Sequence, residues 1–116
     1  MNSRAKGKVG ELEWAAFLRE HGYDGARRGQ QFRGGGDSPD VVGMTGFHPE
    51  VKRVEEKAAG TIYDWLAQAV RDAAAGLVPV VAHRRNRKEW VVIIRAEDFL
   101  KLIGENHADR GKPETL

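Results

Sequence analysis

The strongest constraint on the fold of this 116-residue chain is the alternating pattern of residues 47–54. Successive side chains of a β-strand point to opposite faces of the sheet. In a strand with this sequence, Glu50 and Lys52 share one face, while Phe47 and Val51 share the other. One face of the strand is therefore apolar and suited to a core, and the other carries two opposite charges.

A second strand is predicted just before this one, at residues 40–43. The tight turn at 44–46 ends in glycine, which favours an antiparallel hairpin. Such a hairpin would bring Asp40 beside Glu50 and Lys52. Two carboxylates at a water-lined opening suit Mg²⁺ or Mn²⁺, which bind carboxylates together with a substrate phosphate. Two roles are then open to Lys52: orientation of the nucleophile, or stabilisation of the charge that develops on the phosphate.

The same residues have a simpler interpretation. A Glu-x-Lys triplet is common by chance, and a second copy occurs at residues 55–57. A solvated, charged end of a strand would explain either copy. The copy at Glu50 is the better candidate because Asp40 precedes it, a turn intervenes, and Val51 supplies an apolar contact to the core.

Composition restricts the class of protein further. A chain of this length has room for one small domain, expected over residues 1–104, and the polar residues 105–116 are expected to form a flexible tail. Cysteine is absent, which excludes disulfides and thiolate zinc sites and suits a reducing compartment. No secretory signal or membrane span is evident, so the protein is expected to be soluble and cytoplasmic.

Hydrophobic periodicity and turn residues predict the other elements. Helices are expected at residues 8–21, 62–75 and 97–103. Further strands are expected at residues 26–28, 78–82 and 90–94. Gly22 would end the first helix, Thr61 would cap the second, and Gly76 would end it. The order α-β-β-β-α-β-β-α predicts an α/β fold in which a mixed central sheet is flanked by helices.

The helical patterns also predict which residues face the core. In the first helix, one apolar stripe holds Val9, Leu12 and Ala16 and a second holds Ala15 and Leu18. Glu11 lies between these stripes, so it is expected to face protein rather than solvent. The second helix is expected to turn inward Ile62, Leu66, Ala69, Val70 and Ala73, and the apolar run at 90–94 suits a strand covered on both faces.

Glycines and basic residues are also clustered. Residues 34–36 are three consecutive glycines, which predict a loop, but the Gly-Lys-Ser/Thr ending of a nucleotide-phosphate loop is absent and ATP binding is rejected. Basic residues gather near 4–8, 27–33, 52–57 and 84–88. Collected on one face they would bind a phosphate backbone, although solvated loops explain each cluster equally well.

In combination, these features resemble the PD-(D/E)XK nuclease superfamily, and within it the archaeal-type Holliday junction resolvases, whose relatives also occur in viruses. The resemblance extends over residues 4–94. The features that carry it occur in the order Glu11, the glycine-rich loop, Pro39-Asp40, Glu50-Val51-Lys52 and Gln68.

The resemblance implies a restriction-endonuclease-like fold and a metal-dependent endodeoxyribonuclease. Asp40 and Glu50 would bind Mg²⁺, or Mn²⁺ in its place, through their side chains, and Val51 would bind it through its carbonyl. Glu11 would complete the acidic site, and Lys52 would be the catalytic lysine.

Two more catalytic residues follow only from the resemblance. Gln68 would lie beside the active site, whereas the residues alone place it on a polar stripe with Thr61, Asp64 and Asp72 and favour an exposed position. Ser38 would approach the scissile phosphate, whereas the residues alone suggest a turn. His48 shares the Glu50 face of its strand, where a satisfied or exposed histidine is expected.

The resemblance also implies partners. The basic residues expected to contact DNA are Arg4, Lys6, Arg27, Arg28 and Arg33. A resolvase would nick a four-way junction symmetrically as a two-fold homodimer. Trp65 and residues 90–94 are candidates for its interface, with core packing as the alternative. Two other functions remain open: another superfamily endonuclease acting on flaps, nicks or duplex, and a non-catalytic DNA-binding protein.

Overall fold

A computed structural model describes residues 3–29, 40–55 and 59–106, with side chains for 7–29, 40–55 and 61–104. Within these ranges the elements are α1 (Ser3–Glu20), β1 (Arg27–Arg28), β2 (Val41–Val42), β3 (Phe47–Lys52), α2 (Ala59–Asp72), β4 (Val78–His83), β5 (Val91–Ile94) and α3 (Ala96–Asn106). The predicted α/β class and element order are confirmed. α3 continues two residues into the predicted tail, and residues 107–116 lie outside the described ranges.

A mixed sheet in the order β3-β4-β5 forms the centre of the fold. β3 runs parallel to β4, with Glu50 opposite Val81 and Lys52 opposite His83. A parallel pair needs a long crossover, and α2 provides it. β5 returns antiparallel to β4 and forms one edge of the sheet.

The predicted hairpin between β2 and β3 is formed only in part. β2 pairs antiparallel with β1 instead of extending the ladder of β3. Backbone hydrogen bonds from Asp40 to the Pro49 carbonyl (3.3 Å) and from Phe47 to the Met44 carbonyl (3.0 Å) still join the two arms of the turn. Gly43, at a φ of 104°, bends the chain against Ala26, and this bend directs β2 towards β1.

An apolar cluster covers each face of the β3–β4 pair. On one face, Val51 and Ala82 pack with Trp14 and Leu18 of α1. On the other, Val81 packs with α2. Burial of each large side chain contributes about 1.5–3 kcal/mol. The predicted alternation of β3 is confirmed, because Val51 faces the α1 cluster while its neighbours in the strand face α2.

The buried face of α1 follows only one of the two predicted stripes. Ala15 and Leu18 are buried together with Trp14, as the second stripe predicts. Val9 and Leu12 are exposed at 46% and 48%, so the first stripe is wrong. The indole of Trp14 sets the rotation of the helix, since it packs against the Trp90 and Phe17 rings at centroid distances of 5.0 and 5.4 Å.

The end of α1 is as predicted. Gly22 has a φ of 97°, and its N–H donates to the Arg19 carbonyl at 3.2 Å while the Tyr23 N–H donates to the Leu18 carbonyl at 3.0 Å. This pair of bonds is a Schellman motif, for which glycine is suited because it adopts positive φ without strain.

α2 differs from its prediction at both ends and in its buried face. It begins at Ala59, so Thr61 lies inside the helix and is not its cap, and it ends at Asp72, before Gly76. Two residues predicted to be buried, Ile62 and Val70, are exposed at 38% and 36%.

Trp65 explains the rotation of α2. It is buried against Val81, with its ring 4.8 Å from the His83 ring, and this packing removes more apolar surface from water than either aliphatic side chain could. The core therefore accounts for Trp65, which no longer serves as a candidate for an interface.

β5 is less covered than its apolar sequence predicts. Val91 and Val92 are exposed at 45% and 48%, so coverage of both faces is wrong. The reason is the position of β5 at the edge of the sheet, since α1 and α2 lie over β3 and β4. None of the described helices has both the length and the hydropathy needed to cross a bilayer.

Two glycines of the β2–β3 turn allow the close packing at Ala26 to be tested. Both have positive φ, but a Cβ at Gly43 would lie 2.5 Å from the Ala26 Cα, whereas a Cβ at Gly46 would meet no atom of the described residues within 4 Å. We expect Gly46→Ala to lower the free energy of unfolding by about 1 kcal/mol, from backbone strain alone. Gly43→Ala should cost about 1–3 kcal/mol more, from overpacking. Urea unfolding of both variants measures the difference, and equal costs would contradict the close approach.

Candidate active site

Asp40 and β3 form the centre of the candidate active site. Glu50 is only 4% exposed and lies on the α2 side of β3. Asp40 precedes β2, and its Oδ2 accepts a hydrogen bond from the Val51 N–H at 2.8 Å. This bond fixes one carboxylate against the backbone of the strand that carries the other.

The backbone of β3 offers a further oxygen on the same side. The Lys52 carbonyl points towards β4, where it accepts the Arg84 N–H at 3.2 Å. Val51, the residue before it, points its N–H to the opposite edge, towards Asp40. The N–H and C=O of one strand residue point to the same edge. The Val51 carbonyl therefore faces the Asp40 side of the strand.

The two central carboxyl groups interact directly. Burial is the main cause that raises the pKa of Glu50, to about 8, followed by the negative charge of Asp40 and a hydrogen bond between the two side chains. The charge of Asp72 acts in the same direction, and the ammonium of Lys52 opposes it. In the metal-free protein, the raised pKa therefore favours the protonated form of Glu50, hydrogen-bonded to Asp40.

His48 lies on the same face of β3 as Glu50 and is more deeply buried. It is fully buried, and its Nε2 lies 3.2 Å from Oε1 of Glu50. The prediction that His48 shares the Glu50 face is thus confirmed, and of the two alternatives for this histidine the structure shows a buried residue in contact with the acid.

Glu11 reaches the site from α1, as its predicted inward position requires. It is 8% exposed, and its Oε1 accepts a hydrogen bond from Nε of Arg28 at 2.6 Å. Burial is the main cause that raises the pKa of Glu11, and the charge of Asp40 adds to it, while Arg28 opposes both. Glu11 is therefore close enough to Asp40 for the two charges to interact, but its carboxylate is paired with the guanidinium of Arg28.

α2 contributes two further polar residues to the site, Gln68 and Asp72. Nζ of Lys52 donates a hydrogen bond to Oε1 of Gln68 at 3.1 Å. Gln68 is half-buried, so the exposed position favoured by the residues alone is wrong. Asp72, one helical turn later, is half-buried and its charge reaches Glu50. The sequence pattern places Asp72 on the same polar stripe as Gln68, as the i, i+4 spacing requires, but it assigns no role to Asp72.

The structure brings together most of the predicted catalytic and metal-binding residues, namely Glu11, Asp40, Glu50, Val51, Lys52 and Gln68. Ser38 and Arg33 lie outside the described residues, and the side chains of Arg4 and Lys6 lie outside the described side chains. Arg27 is exposed at the surface of β1. Arg28 is also on β1, but it is engaged by Glu11.

The donor set suits a hard divalent cation. Within residues 3–29, 40–55 and 59–106, no three histidine or carboxylate side chains are grouped so as to hold a metal ion. The observed set is a carboxylate pair, Asp40 and Glu50, whose mutual repulsion and burial a cation would relieve. Mg²⁺ keeps several waters and is commonly bound by one or two carboxylates plus substrate phosphate, so this pair fits it.

A sequence model of the family described as "Phage putative PDDEXK endonuclease" matches residues 2–111 of the chain. The match includes every element of the described fold and the whole of the candidate site. No curated protein matches the chain, and no solved structure matches it.

The raised pKa of Glu50 makes stability depend on pH when metal is removed. In the unfolded chain Glu50 ionises near its ordinary pKa of 4.5, whereas in the folded protein it holds its proton to about 8. The stabilisation that Glu50 gives the folded protein is fully present below pH 4.5 and is lost as the pH rises towards 8. In EDTA, the parent should lose stability over this window more steeply than Glu50→Gln, by at most about 1.4 kcal/mol per pH unit.

Urea unfolding at pH 5, 6.5 and 8 measures this slope. Glu97→Gln, an exposed exchange of the same kind on α3, serves as the control and should keep the slope of the parent. Parallel slopes for the parent and Glu50→Gln would contradict a buried, protonated Glu50.

Proposed function

Since the chain belongs to this PDDEXK endonuclease family, we propose that it is a metal-dependent endonuclease that hydrolyses phosphodiester bonds in DNA. The observation that best supports the proposal is the buried contact of Asp40 with Glu50 beside Lys52. A structural role gives no reason to bury two carboxylates against each other, because each raises the cost of ionising its neighbour.

The residues that would hold the ion are Asp40 and Glu50, through their carboxylates, and Val51, through its carbonyl. We propose Mg²⁺, with Mn²⁺ able to substitute, because all of these donors are oxygens. An ion bound there supplies Lewis-acid chemistry, which lowers the pKa of water and stabilises charge on the phosphate.

The other side chains position and neutralise the reacting groups. Gln68 accepts a hydrogen bond from Lys52, so the ammonium is held beside Glu50, where it orients the nucleophile or stabilises charge on the phosphate. The oxygen of a water molecule forms a bond to phosphorus and releases a proton to solvent, the bond to the 3′-oxygen breaks, and that oxygen takes up a proton. The products are a 5′-phosphate and a 3′-hydroxyl. Glu11 adds negative charge next to Asp40, and Arg28 holds it in place.

We propose that several basic residues bind DNA. Arg27 is exposed, next to the Arg28 that holds Glu11, so it can reach a phosphate near the site. We assign the same role to Arg4, Lys6, Arg28 and Arg33, and we place Ser38 near the scissile phosphate, all on the resemblance alone. Phosphate contacts fix position without reading bases, which suits an enzyme that selects DNA by shape.

We further propose the four-way junction as the substrate, again on the resemblance to archaeal-type resolvases. Paired symmetric nicks need two sites, which a two-fold homodimer provides. The exposed Val91 and Val92 on the edge strand β5 remain candidates for its interface. The enzyme would act in recombination or repair, in the cytoplasm of a prokaryotic or virus-infected cell. Another superfamily endonuclease, specific for flaps, nicks or duplex, would use the same residues.

Removal of either central carboxylate tests the site. Asp40→Asn or Glu50→Gln should reduce Mg²⁺-dependent cleavage on the order of a hundredfold or more, the scale for loss of one charge-stabilising group. DNA binding should be retained, because neither residue is a cation. Cleavage rates and Kd values of both variants are compared with those of Glu97→Gln, whose side chain is exposed on α3. If both variants cleaved DNA at the rate of the parent protein, the assignment of Asp40 and Glu50 to the active site would be refuted. If the protein were a non-catalytic DNA-binding protein, the parent itself would show no Mg²⁺-dependent cleavage.

Substrate choice is tested with matched four-way, flap, nicked and linear DNAs of one sequence, with each strand labelled in turn. A resolvase should cut only the four-way DNA, at symmetric positions on two opposing strands. Equal cutting of linear duplex would refute junction resolution and support a general endonuclease. A preference for flap or nicked DNA would identify the alternative substrate.

A further inference from the structure

The turn between β4 and β5 opens a groove of about 730 Å³, and none of the proposed catalytic residues that the structure describes lines it. Its lining comprises four arginine or lysine residues against one glutamate: Ile62, His83, Arg84, Arg85, Arg87, Lys88, Glu89 and Val91. The groove is therefore positively charged and open, and its lining includes the apolar Ile62 and Val91.

Hydrogen bonds hold this turn close to the catalytic strand. His83 lies opposite Lys52, and its Nδ1 is 2.8 Å from the Lys52 carbonyl oxygen. Asn86, within the turn, donates its N–H to Oε1 of Glu55 at 2.6 Å and accepts a hydrogen bond from Nη2 of Arg53 at 2.8 Å. The segment that follows the catalytic lysine thus fixes the position of the turn.

The charge of the turn is largely uncompensated. Arg84 forms an ion pair with Glu13 at 2.9 Å, but in the described part of the chain no ion pair involves Arg85, Arg87 or Lys88. Arg87 is exposed and has a φ of 63°, a conformation that glycine adopts without strain. A strained, exposed arginine at the tip of a fixed turn is the kind of outlier that indicates function.

Simple strand geometry gives the distance from the groove to the site. Val81 of β4 lies opposite Glu50. If the extended course of β4 continued to Arg85 at about 3.3 Å per residue, Arg85 would lie roughly 15 Å from Glu50, with the spacing between β3 and β4 included. A duplex strand rises about 3.4 Å per nucleotide, so this distance is about four nucleotides. An anionic chain that enters the active site is therefore long enough, within a few nucleotides, to reach the groove.

We propose that this groove, through Arg85, Arg87 and Lys88, binds the phosphate backbone of the DNA about four nucleotides to one side of the scissile bond. The inference rests on the proposed function and names a surface for it beyond the active site. Ile62, which also lines the groove, would contact the sugars. The groove would act as a fixed electrostatic guide that sets the direction in which the strand crosses the site.

Single variants test the surface. Arg85→Ala and Arg87→Ala each remove one cation from the groove, and Lys101→Ala removes one from the exposed surface of α3. Binding of a fluorescent duplex is measured in EDTA at several salt concentrations. Each groove variant should raise Kd about three- to tenfold and make the slope of log K against log salt shallower by about one. Lys101→Ala should stay within about twofold of the parent, and Arg87→Lys should retain most of the binding, because a phosphate contact needs only the charge.

Shortened duplexes test the placement. When DNA is removed beyond two nucleotides on one side of the cleaved bond, the parent should bind as weakly as the groove variants, whereas truncation on the other side should preserve the difference. Groove variants that match Lys101→Ala, or a difference that survives both truncations, would overturn this inference while the parent still binds and cuts DNA. A parent protein that neither binds nor cuts DNA would overturn the proposed function as well.

Discussion

The hydrogen bond between the Val51 N–H and the Asp40 carboxylate is the contact on which the rest of the site depends. Val51 belongs to the α1 core through its side chain and to the site through its backbone. The same residue therefore anchors the strand and positions the acid. Because side chains alternate, burial of Val51 under α1 turns its neighbour Glu50 towards α2, next to Asp40. The packing of β3 in the core thus also sets the positions of the two carboxylates at the site.

Buried charge is the second constraint on this site. Each ionisable group at the edge of β3 has a specific partner: Glu11 has Arg28, Lys52 has Gln68, and Glu50 has both His48 and Asp40. These contacts offset part of the cost of desolvation, but burial and the nearby charge of Asp40 still raise the pKa values of Glu11 and Glu50. Crowded carboxylates held in fixed positions are prepared for a cation, since little of the protein must move when the ion binds.

The same strand connects the site to the surface that we assign to DNA. The Lys52 carbonyl accepts the Arg84 N–H, so the register of β3 on β4 fixes where the basic turn begins. Asn86 also holds that turn, because it accepts a hydrogen bond from Arg53 and donates one to Glu55. Rigid placement matters because phosphate contacts act as positioning contacts, and a loosely held cation would add affinity without direction.

Local patterns in the sequence determined the element order, the stop of α1 at Gly22 and the opposite faces of Val51 and Glu50, because alternation, helical periodicity and positive φ are properties of a few neighbouring residues. They also made Asp40, Glu50 and Lys52 candidates for one site. Only the tertiary structure decided which apolar stripe of α1 is buried, and that Asp72 faces Glu50. It alone decided that β2 pairs with β1. These outcomes depend on how large rings such as Trp14 and Trp65 pack between distant elements, and that competition is settled by contacts which no local pattern contains.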